Sequence, residues 1–497
     1  MKNNLRQSMA WLHTWAGLLA GWILFAMFLT GTASYFRPEI TAWMQPELTR
    51  AADPDRATLA ALDHLAGAAP DARQWTVMVP DGRTAGIHAF WRDAAGTFGD
   101  VTLDGATGAP AVVRETRGGE FFYRFHFQLQ LPRPWGRWLA GACAMMMLAA
   151  IISGVITHKR IFADFFTFRP RKGQRSWLDA HNVMAVLALP FHAMITYTGL
   201  VTLVVLYMPW GIMANYPNPD DYQRETFRDP VPGEAAGVKA PLADIGPLLR
   251  DARRQWQGAG IGRVVVFHPG DAAASIALYR DGGGQLGVWN APLVYGGTDG
   301  RLITNPGPAG PAVTTGSVMV GLHVGWFAGP VLRWLYFLSG LMGTAMVGTG
   351  LVLWAVKRRT PMPVSGKLPL GQRLVEILNI GTITGLPAGM ACFFLANRLL
   401  PADLAGRAGM EVAATFWVWG LMHLPALLRP ARRAWVEGFG IAGLVYLLLP
   451  LVDLATNFRH LAVGDGLMAS FDLAFLAIGG GLLLIAGTLH RREQMRK

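Results

Sequence analysis

The sequence predicts a polytopic α-helical membrane protein of about eight spans, with two small α+β domains outside the membrane, inserted in a parallel internal repeat. Three observations lead there. Only 15% of the 497 residues are charged and 52% are hydrophobic, whereas soluble domains carry about 25% charge. Apolar runs of the length that crosses a bilayer, about 20 residues, recur along the chain. Bases gather in every second connection between those runs.

The predicted spans are 9–36, 135–157, 181–208, 331–356, 374–399, 411–428, 435–455 and 467–489. The first is too long and aromatic for a cleavable leader and lacks a small-residue cleavage site, so it reads as a retained span. Lys2 and Arg6 precede it. Lys159, Arg160, Arg169, Arg171, Lys172 and Arg175 follow the second span; Lys357, Arg358 and Arg359 follow the fourth; Arg429, Arg432 and Arg433 follow the sixth; Arg491, Arg492, Arg496 and Lys497 follow the eighth. The positive-inside rule puts all of them, and both termini, in the cytoplasm. The net charge of +12 is then a topology signal rather than a mark of nucleic-acid binding.

The organisation that follows is a first span (1–36), an external domain (37–134), a second span with a basic loop (135–180), a third span (181–208), a second external domain (209–330), a fourth span (331–358) and a four-helix extension (370–497). In the first external domain, 57–68 reads as a helix and 75–79, 85–91 and 98–103 as strands, with turns at Asp81-Gly82 and Asp104-Gly105. In the second, 241–257 reads as a helix and 263–268, 275–280 and 286–289 as strands, with a turn at Gly282-Gly283-Gly284. Neither domain holds a nucleotide-binding glycine motif or a catalytic triad.

The repeat carries histidines in register. His13 in the first span and His181 in the third each precede a Thr-Gly pair, Thr30-Gly31 and Thr198-Gly199, with eighteen residues from His to Gly in both. His126 precedes the second span and His323 the fourth, 33 and 34 residues before Lys159 and Lys357. Ser153-Gly154 and Thr349-Gly350 match near the inner ends of those spans. Parallel repeats are related by an axis along the membrane normal, so His13 and His181 share an inner depth and His126 and His323 an outer one. Two histidine pairs at two depths suit two bis-histidine b-type haems, with neutral imidazoles on iron and apolar walls around the macrocycle. A single interfacial histidine is more often an anchor than a ligand; four in register shift that balance.

His192 has no counterpart, Leu24 standing in its place. It lies eleven residues after His181, close to three helical turns and about 16 Å deeper on the same face, where it would ligate a haem, bond a propionate or bond a helix carbonyl. His158 reads as an interfacial residue, His64, His88 and His268 as surface residues, and His460 and His490 as loop residues. His423 lies in the extension as a weaker candidate. Cys143 and Cys392 both fall in apolar runs and form neither a covalent-haem motif nor a CxxC pair.

The segments "WLHTWAGLLAG", "LDAHNVMAVLALPFHAMITYTGL", "GLHVGWFAG" and "FGDVTLDGATGAP" resemble the PepSY-associated transmembrane helix family, which includes bacterial inner-membrane ferrisiderophore reductases. The resemblance covers about 8–358. It implies a di-haem reductase of the bacterial inner membrane with PepSY-like periplasmic domains, in which His13, His126, His181 and His323 match the family's histidine positions and His192 fits an "LPFH" variant. The second domain lacks a clear PepSY ending, and the last four helices go beyond the family pattern.

The function expected from the residues and the resemblance together is haem-dependent electron transfer to a periplasmic acceptor, a ferric siderophore or other ferric chelate, whose iron is released on reduction. With no flavin or nicotinamide motif in the chain, the donor is separate, a quinol or a cytoplasmic reductase. The alternatives from other classes are a peptide-binding or protease-inhibiting membrane protein and a siderophore or metal permease.

Overall fold

The computed structural model describes residues 4–158, 167–358, 369–462 and 465–494. The expected inner bases Lys2, Lys159, Arg160, Arg359, Arg496 and Lys497 lie outside the described residues, as do the side chains of His460 and Arg492. Seven described helices are long and apolar enough to cross a membrane, and one bent pair makes an eighth if it is a single span. Two compact units are formed: Met1–Met44, Glu115–Leu200 and Trp334–Lys497 make the helical one, and Gln45–Arg114 with Val201–Arg333 make the other.

The chain begins with α1 (Leu5–Ser34), capped by Asn4, whose side chain accepts from the Gln7 amide at 3.0 Å. After α2 (Arg37–Met44), α3 (Pro54–Ala68) starts where Asp53 accepts from the amides of Asp55 and Arg56 and Pro54 presets the first turn. Strands β1 (Gln74–Met78), β2 (Ile87–Arg92) and β3 (Phe98–Leu103) follow, then α4 (Glu120–Gln128) and α5 (Trp135–Thr157).

The third expected span departs from a straight helix. It is α6 (Gln174–Leu187) and α7 (Leu189–Thr202), bent by 68°. The break falls at Ala188, two residues before Pro190, which lacks an amide proton and disfavours helical backbone just ahead of it. His181 and His192 therefore stand on different helices and do not share one straight face.

Short helices α8 (Val204–Tyr207), α9 (Trp210–Asn215) and α10 (Pro219–Phe227) lead to α11 (Ile245–Gln255), β4 (Ile261–Phe267), β5 (Ser275–Arg280), β6 (Leu293–Gly296) and β7 (Leu302–Thr304). Then come α12 (Pro311–Val324), α13 (Pro330–Lys357), α14 (Leu370–Leu399), α15 (Arg407–Leu421), α16 (Leu424–Leu428), α17 (Ala431–Ala462) and α18 (Gly466–Gln494).

The two segments expected outside the membrane as separate domains build one antiparallel sheet in the order β3-β2-β1-β4-β5-β6-β7. The join is β1 against β4, with Thr76 opposite Val265. Alternation sorts the two faces. Trp75, Val77, Val264, Val266, Ile276 and Leu278 point to one core, which α3 and α11 cover, whereas Val265, Phe267, Ala277 and Val294 form a smaller cluster on the opposite side. Arg253 of α11 forms an ion pair with Asp55 of α3, and the Tyr295 hydroxyl donates to Asp251 at 2.9 Å. Residues 286–289, expected as a strand, form none. Their backbone is committed to α12 instead: the Trp289 amide donates to Ser317 Oγ at 2.8 Å, and the Leu286 carbonyl lies so close to Gly321 that a Cβ there would stand 1.6 Å from it.

The Asp104-Gly105 turn shows why that motif is needed. Asp104 accepts from the amides of Thr49, Ala106 and Thr107 at 2.9, 3.1 and 2.9 Å. A side chain at Gly105 would meet the Thr49 carbonyl at 2.5 Å. Partial burial pushes the Asp104 carboxyl up, but the hydrogen bonds from Thr49 and Thr107 outweigh it and hold the group at about 2.

In the helical unit, the extension is tied down by buried charge. Arg398 of α14 donates to Asp453 of α17 at 2.5 Å, with both side chains fully buried. Its guanidinium also donates to the Trp43 carbonyl at 2.6 Å and lies 3.6 Å over the Trp43 ring. Arg407 pairs with Glu411 and donates to the Glu115 carbonyl at 3.0 Å.

Two outcomes follow. Arg398→Leu leaves the Asp453 carboxylate buried without its counter-charge and lowers stability by about 3–5 kcal/mol, and adding Asp453→Leu recovers most of that loss; thermal unfolding in detergent reads both. Asp104→Ala loosens the Thr49 and Thr107 amides by about 1–2 kcal/mol at neutral pH. Because the folded carboxyl titrates below its unfolded value, near 3.9, this contribution is complete above about pH 4 and disappears as pH falls through about 2. Hydrogen exchange at those amides, compared between wild type and variant across that window, checks it.

Candidate functional site

Glycines let the helices of this unit approach closely. A Cβ at Gly340 of α13 would stand 2.3 Å from Thr32 Oγ1 of α1, and one at Gly21 of α1 would stand 2.6 Å from Leu351 of α13. Three histidines occupy the approaches in the same manner. His13 Nδ1 lies 2.8 Å from the Ala150 carbonyl of α5, His126 Nδ1 2.8 Å from the Met27 carbonyl of α1, and His181 Nδ1 2.8 Å from the Met346 carbonyl of α13.

In each case the residue four positions after the carbonyl is a glycine under the imidazole. A Cβ at Gly154 would stand 3.0 Å from His13 Cε1, at Gly31 2.6 Å from His126 Nδ1, and at Gly350 3.1 Å from His181 Cε1. The residue before each glycine turns its hydroxyl back along its own helix: Thr30 to Ala26 O at 2.7 Å, Ser153 to Ala149 O at 2.6 Å, and Thr349 to Ala345 O at 2.7 Å. Each hydroxyl also reaches the next carbonyl, Met27 O at 3.5 Å, Ala150 O at 3.2 Å and Met346 O at 3.0 Å, so hydroxyl and imidazole share one acceptor.

Three of the four Ser/Thr-Gly pairs seen in the sequence are thus cradles for histidines of other helices. Sequence reasoning used them only as repeat markers. The signal available was the repeat itself, which sets these pairs in register with the histidines. Thr198, before Gly199, makes the same return bond, to Met194 O at 2.7 Å.

An N–H donated from Nδ1 to a carbonyl fixes the neutral tautomer and leaves Nε2 as the ring's lone-pair nitrogen. His13 and His181 are set this way side by side, their ring centres 6.2 Å apart and their planes at 72°. Among the described residues, neither Nε2 has a hydrogen-bond partner, and both rings are only half buried. His126, also half buried, is carried by α4, whose Phe121, Phe122 and Phe125 pack on Phe393, Phe394 and Phe416 of the extension.

His192 differs in burial and in orientation. It is 1% exposed, its Nε2 faces the Ser339 carbonyl at 3.3 Å, and its Nδ1 is buried without a partner. Of the three roles open to it from sequence, the geometry displays the bond to a helix carbonyl. His323 sits in the last turn of α12, half buried, just before Gly325, which takes the left-handed cap conformation at φ 67°.

The remaining histidines have structural settings. His158 Nε2 lies 3.0 Å from Asn182 Nδ2, and His423, which caps α16, has Nδ1 3.0 Å from the Trp419 carbonyl of α15. His268, expected at the surface, is 9% exposed and bonds the Gly233 carbonyl at 2.8 Å. Among the described residues, no group of three or more His, Cys, Asp or Glu side chains could hold a bare metal ion.

The cradles predict a graded response to added methyl groups. Gly31→Ala forces the His126 ring off its carbonyl and lowers stability by about 1–3 kcal/mol. Gly154→Ala and Gly350→Ala, with wider clearances, lose less. Gly17→Ala, where a Cβ meets nothing within 4 Å, gains about 0.5–1 kcal/mol from helix propensity. Thermal unfolding of the four variants in detergent gives the ranking.

The family model described as the PepSY-associated TM region matches residues 10–357, taking in the helices that carry all five histidines and ending before α14. No curated protein matches the chain. With about two thirds of its length matched, together with apolar helices able to span a bilayer, this chain is a membrane protein of the PepSY-associated TM family.

Proposed function

We propose that the protein is a haem-containing oxidoreductase of the bacterial inner membrane that passes electrons to a periplasmic ferric chelate, of the siderophore class, and so releases iron(II). The observation that carries this function is the His13–His181 pair. An imidazole nitrogen binds a transition metal at about 2 Å, so two histidines that would share one metal centre must keep their rings within several ångströms of each other. The centres of His13 and His181 are 6.2 Å apart before any group is placed between them.

Each ring is held from behind by a backbone carbonyl, the second-sphere contact that orients a metal-binding histidine and raises its basicity. His13 and His181 would hold the inner b-type haem; the sequence register alone makes His126 and His323 the candidates for an outer one. Bound haem supplies one-electron exchange at iron. The protein's part is to fix the tautomers and to keep the surroundings apolar, which tunes the potential. His192, tied to a carbonyl, orders α7 against α13.

The arrangement of basic loops favours cytoplasmic termini and a periplasmic sheet, with electrons entering from the cytoplasmic side or from a quinol. A ferric ion is held by hard oxygen ligands far more tightly than a ferrous one, so reduction loosens the metal without breaking the chelator.

The purified protein is expected to show a Soret band and, after dithionite, the α-band of low-spin b-type haem. His13→Ala and His181→Ala should each remove about half of the haem, and His192→Ala should keep both. A folded, colourless preparation overturns the proposal, and so does full haem content in both inner-pair variants.

A further inference from the structure

The sheet unit contains an open cleft of about 490 Å³ lined by Trp256, Gln257, Gly258, Arg280, Gly283 and Gly284. Its two walls have different origins. One is the end of α11, where Trp256 caps the helix and Gln257 and Gly258, at φ 56° and 92°, turn the chain back. The Gly258 amide donates to the Arg253 carbonyl at 2.8 Å, so the helix end is closed by its own backbone. The other wall is the end of β5, where Arg280 pairs with Ile261 of β4 and the chain runs on into the glycine turn.

Arg280 is the unusual group. Its Nε is buried without a hydrogen-bond partner, and among the described residues its guanidinium makes no hydrogen bond or ion pair. The neighbouring arginines of α11 are engaged, Arg253 with Asp55 and Arg254 with Asp251. Asp281, the nearest carboxylate in sequence, accepts from the Gly283 amide at 3.2 Å and lies against Gly260. The cleft therefore offers one uncommitted guanidinium fork, a tryptophan ring and glycines without side chains. A buried, unmatched donor of this kind awaits an anionic acceptor, and the fork suits a carboxylate.

The cleft also adjoins the candidate outer ligand. A Cβ at Gly282 would stand 3.1 Å from both Cβ and Cε3 of Trp326, and Trp326 lies three residues after His323. The segment leaving the cleft is clamped to the helix that ends in His323, through Leu286 on Gly321 and the Trp289 amide on Ser317 Oγ.

We infer that this cleft is the docking site for the electron acceptor, and that the acceptor is an anionic ferric chelate with carboxylate groups, gripped by Arg280 and covered by Trp256. This assignment rests on the reductase function proposed above. A bound haem would supply the single electron that reduces the chelated iron(III) to iron(II), the haem being oxidised by one electron in exchange. No proton is transferred and no covalent bond is made in that step.

Gallium(III) citrate, a redox-inert anionic mimic, tests it by calorimetric titration of the full chain in detergent, with haem content read from the Soret band of the same samples. Wild type should bind gallium citrate, and bind a neutral gallium trihydroxamate more weakly. Arg280→Gln should weaken citrate-complex binding by about tenfold or more, Arg280→Lys should restore part of it, and Trp256→Leu should weaken it independently, all with haem content unchanged. Wild type that carries haem but does not bind gallium citrate overturns the cleft alone, and so do Arg280→Gln and Trp256→Leu proteins that bind as wild type does. Binding by a haem-free wild type overturns the reductase function and leaves the cleft standing as an anionic-chelate site.

Discussion

The helical unit is organised around one contact, an imidazole N–H against a helix carbonyl with a glycine directly beneath the ring. The contact sets several requirements at once. It needs a carbonyl whose helix presents no side chain one turn later, hence Gly31, Gly154 and Gly350. It requires the preceding hydroxyl to be satisfied on its own helix, as Thr30, Ser153 and Thr349 are. It also brings two helix axes close together, because a ring lies flat where a side chain would otherwise stand. Once His13 and His181 are both fixed in this way, their separation is determined by α1, α5, α6 and α13 rather than by the flexibility of the rings themselves. A pair held at 6.2 Å by four helices is preorganised.

The extension beyond the family match acquires a physical role from the same logic. His126 rides on α4, a helix of only nine residues, too short to hold its position alone. Its aromatic face is buried on Phe393, Phe394 and Phe416, and the residues just before it are tied down, Glu115 by Arg407 and Thr116 by Glu411. Arg398 fixes Trp43 at the end of α2. Ionic pairs with fully buried side chains are expensive to desolvate, and Asp453 Oδ2 is buried without a partner, so these pairs fix position more than they add stability. Their concentration between α14–α18 and the segments flanking α4 makes the extension a brace for the histidine-bearing core.

Much of this was legible in the sequence, for reasons that differ by element. Spans 135–157 and 374–399 could be read because hydrophobic length is a local property, and α5 and α14 occupy them. Strands 98–103 and 275–280 could be read because alternation is local too, and β3 and β5 match them. The pairing of β1 with β4 was not legible, since it joins Thr76 to a valine 189 residues away and no local pattern specifies a partner strand. Residues 286–289 carry strand-like residues but yield their backbone to α12, a tertiary choice that propensity does not report. The histidines were found by register. Their cradles were not, because a Ser/Thr-Gly pair is ordinary within an apolar helix until the ring above it is known. The bend at Ala188 was signalled by Pro190 and separates His181 from His192.

That separation explains why two histidines so close in sequence end in different states. His181 lies on α6, before the break, where its ring reaches the Met346 carbonyl through Nδ1 and remains half open beside His13. His192 lies after it, on α7, and packs against Phe28 and Phe191 with 1% exposure. A straight helix would have set both rings along one wall, about 16 Å apart. With the bend, the second ring meets the Ser339 carbonyl and is buried, while the first stays half exposed. The same residue types, in one short segment, are thus given different chemistry by backbone geometry alone.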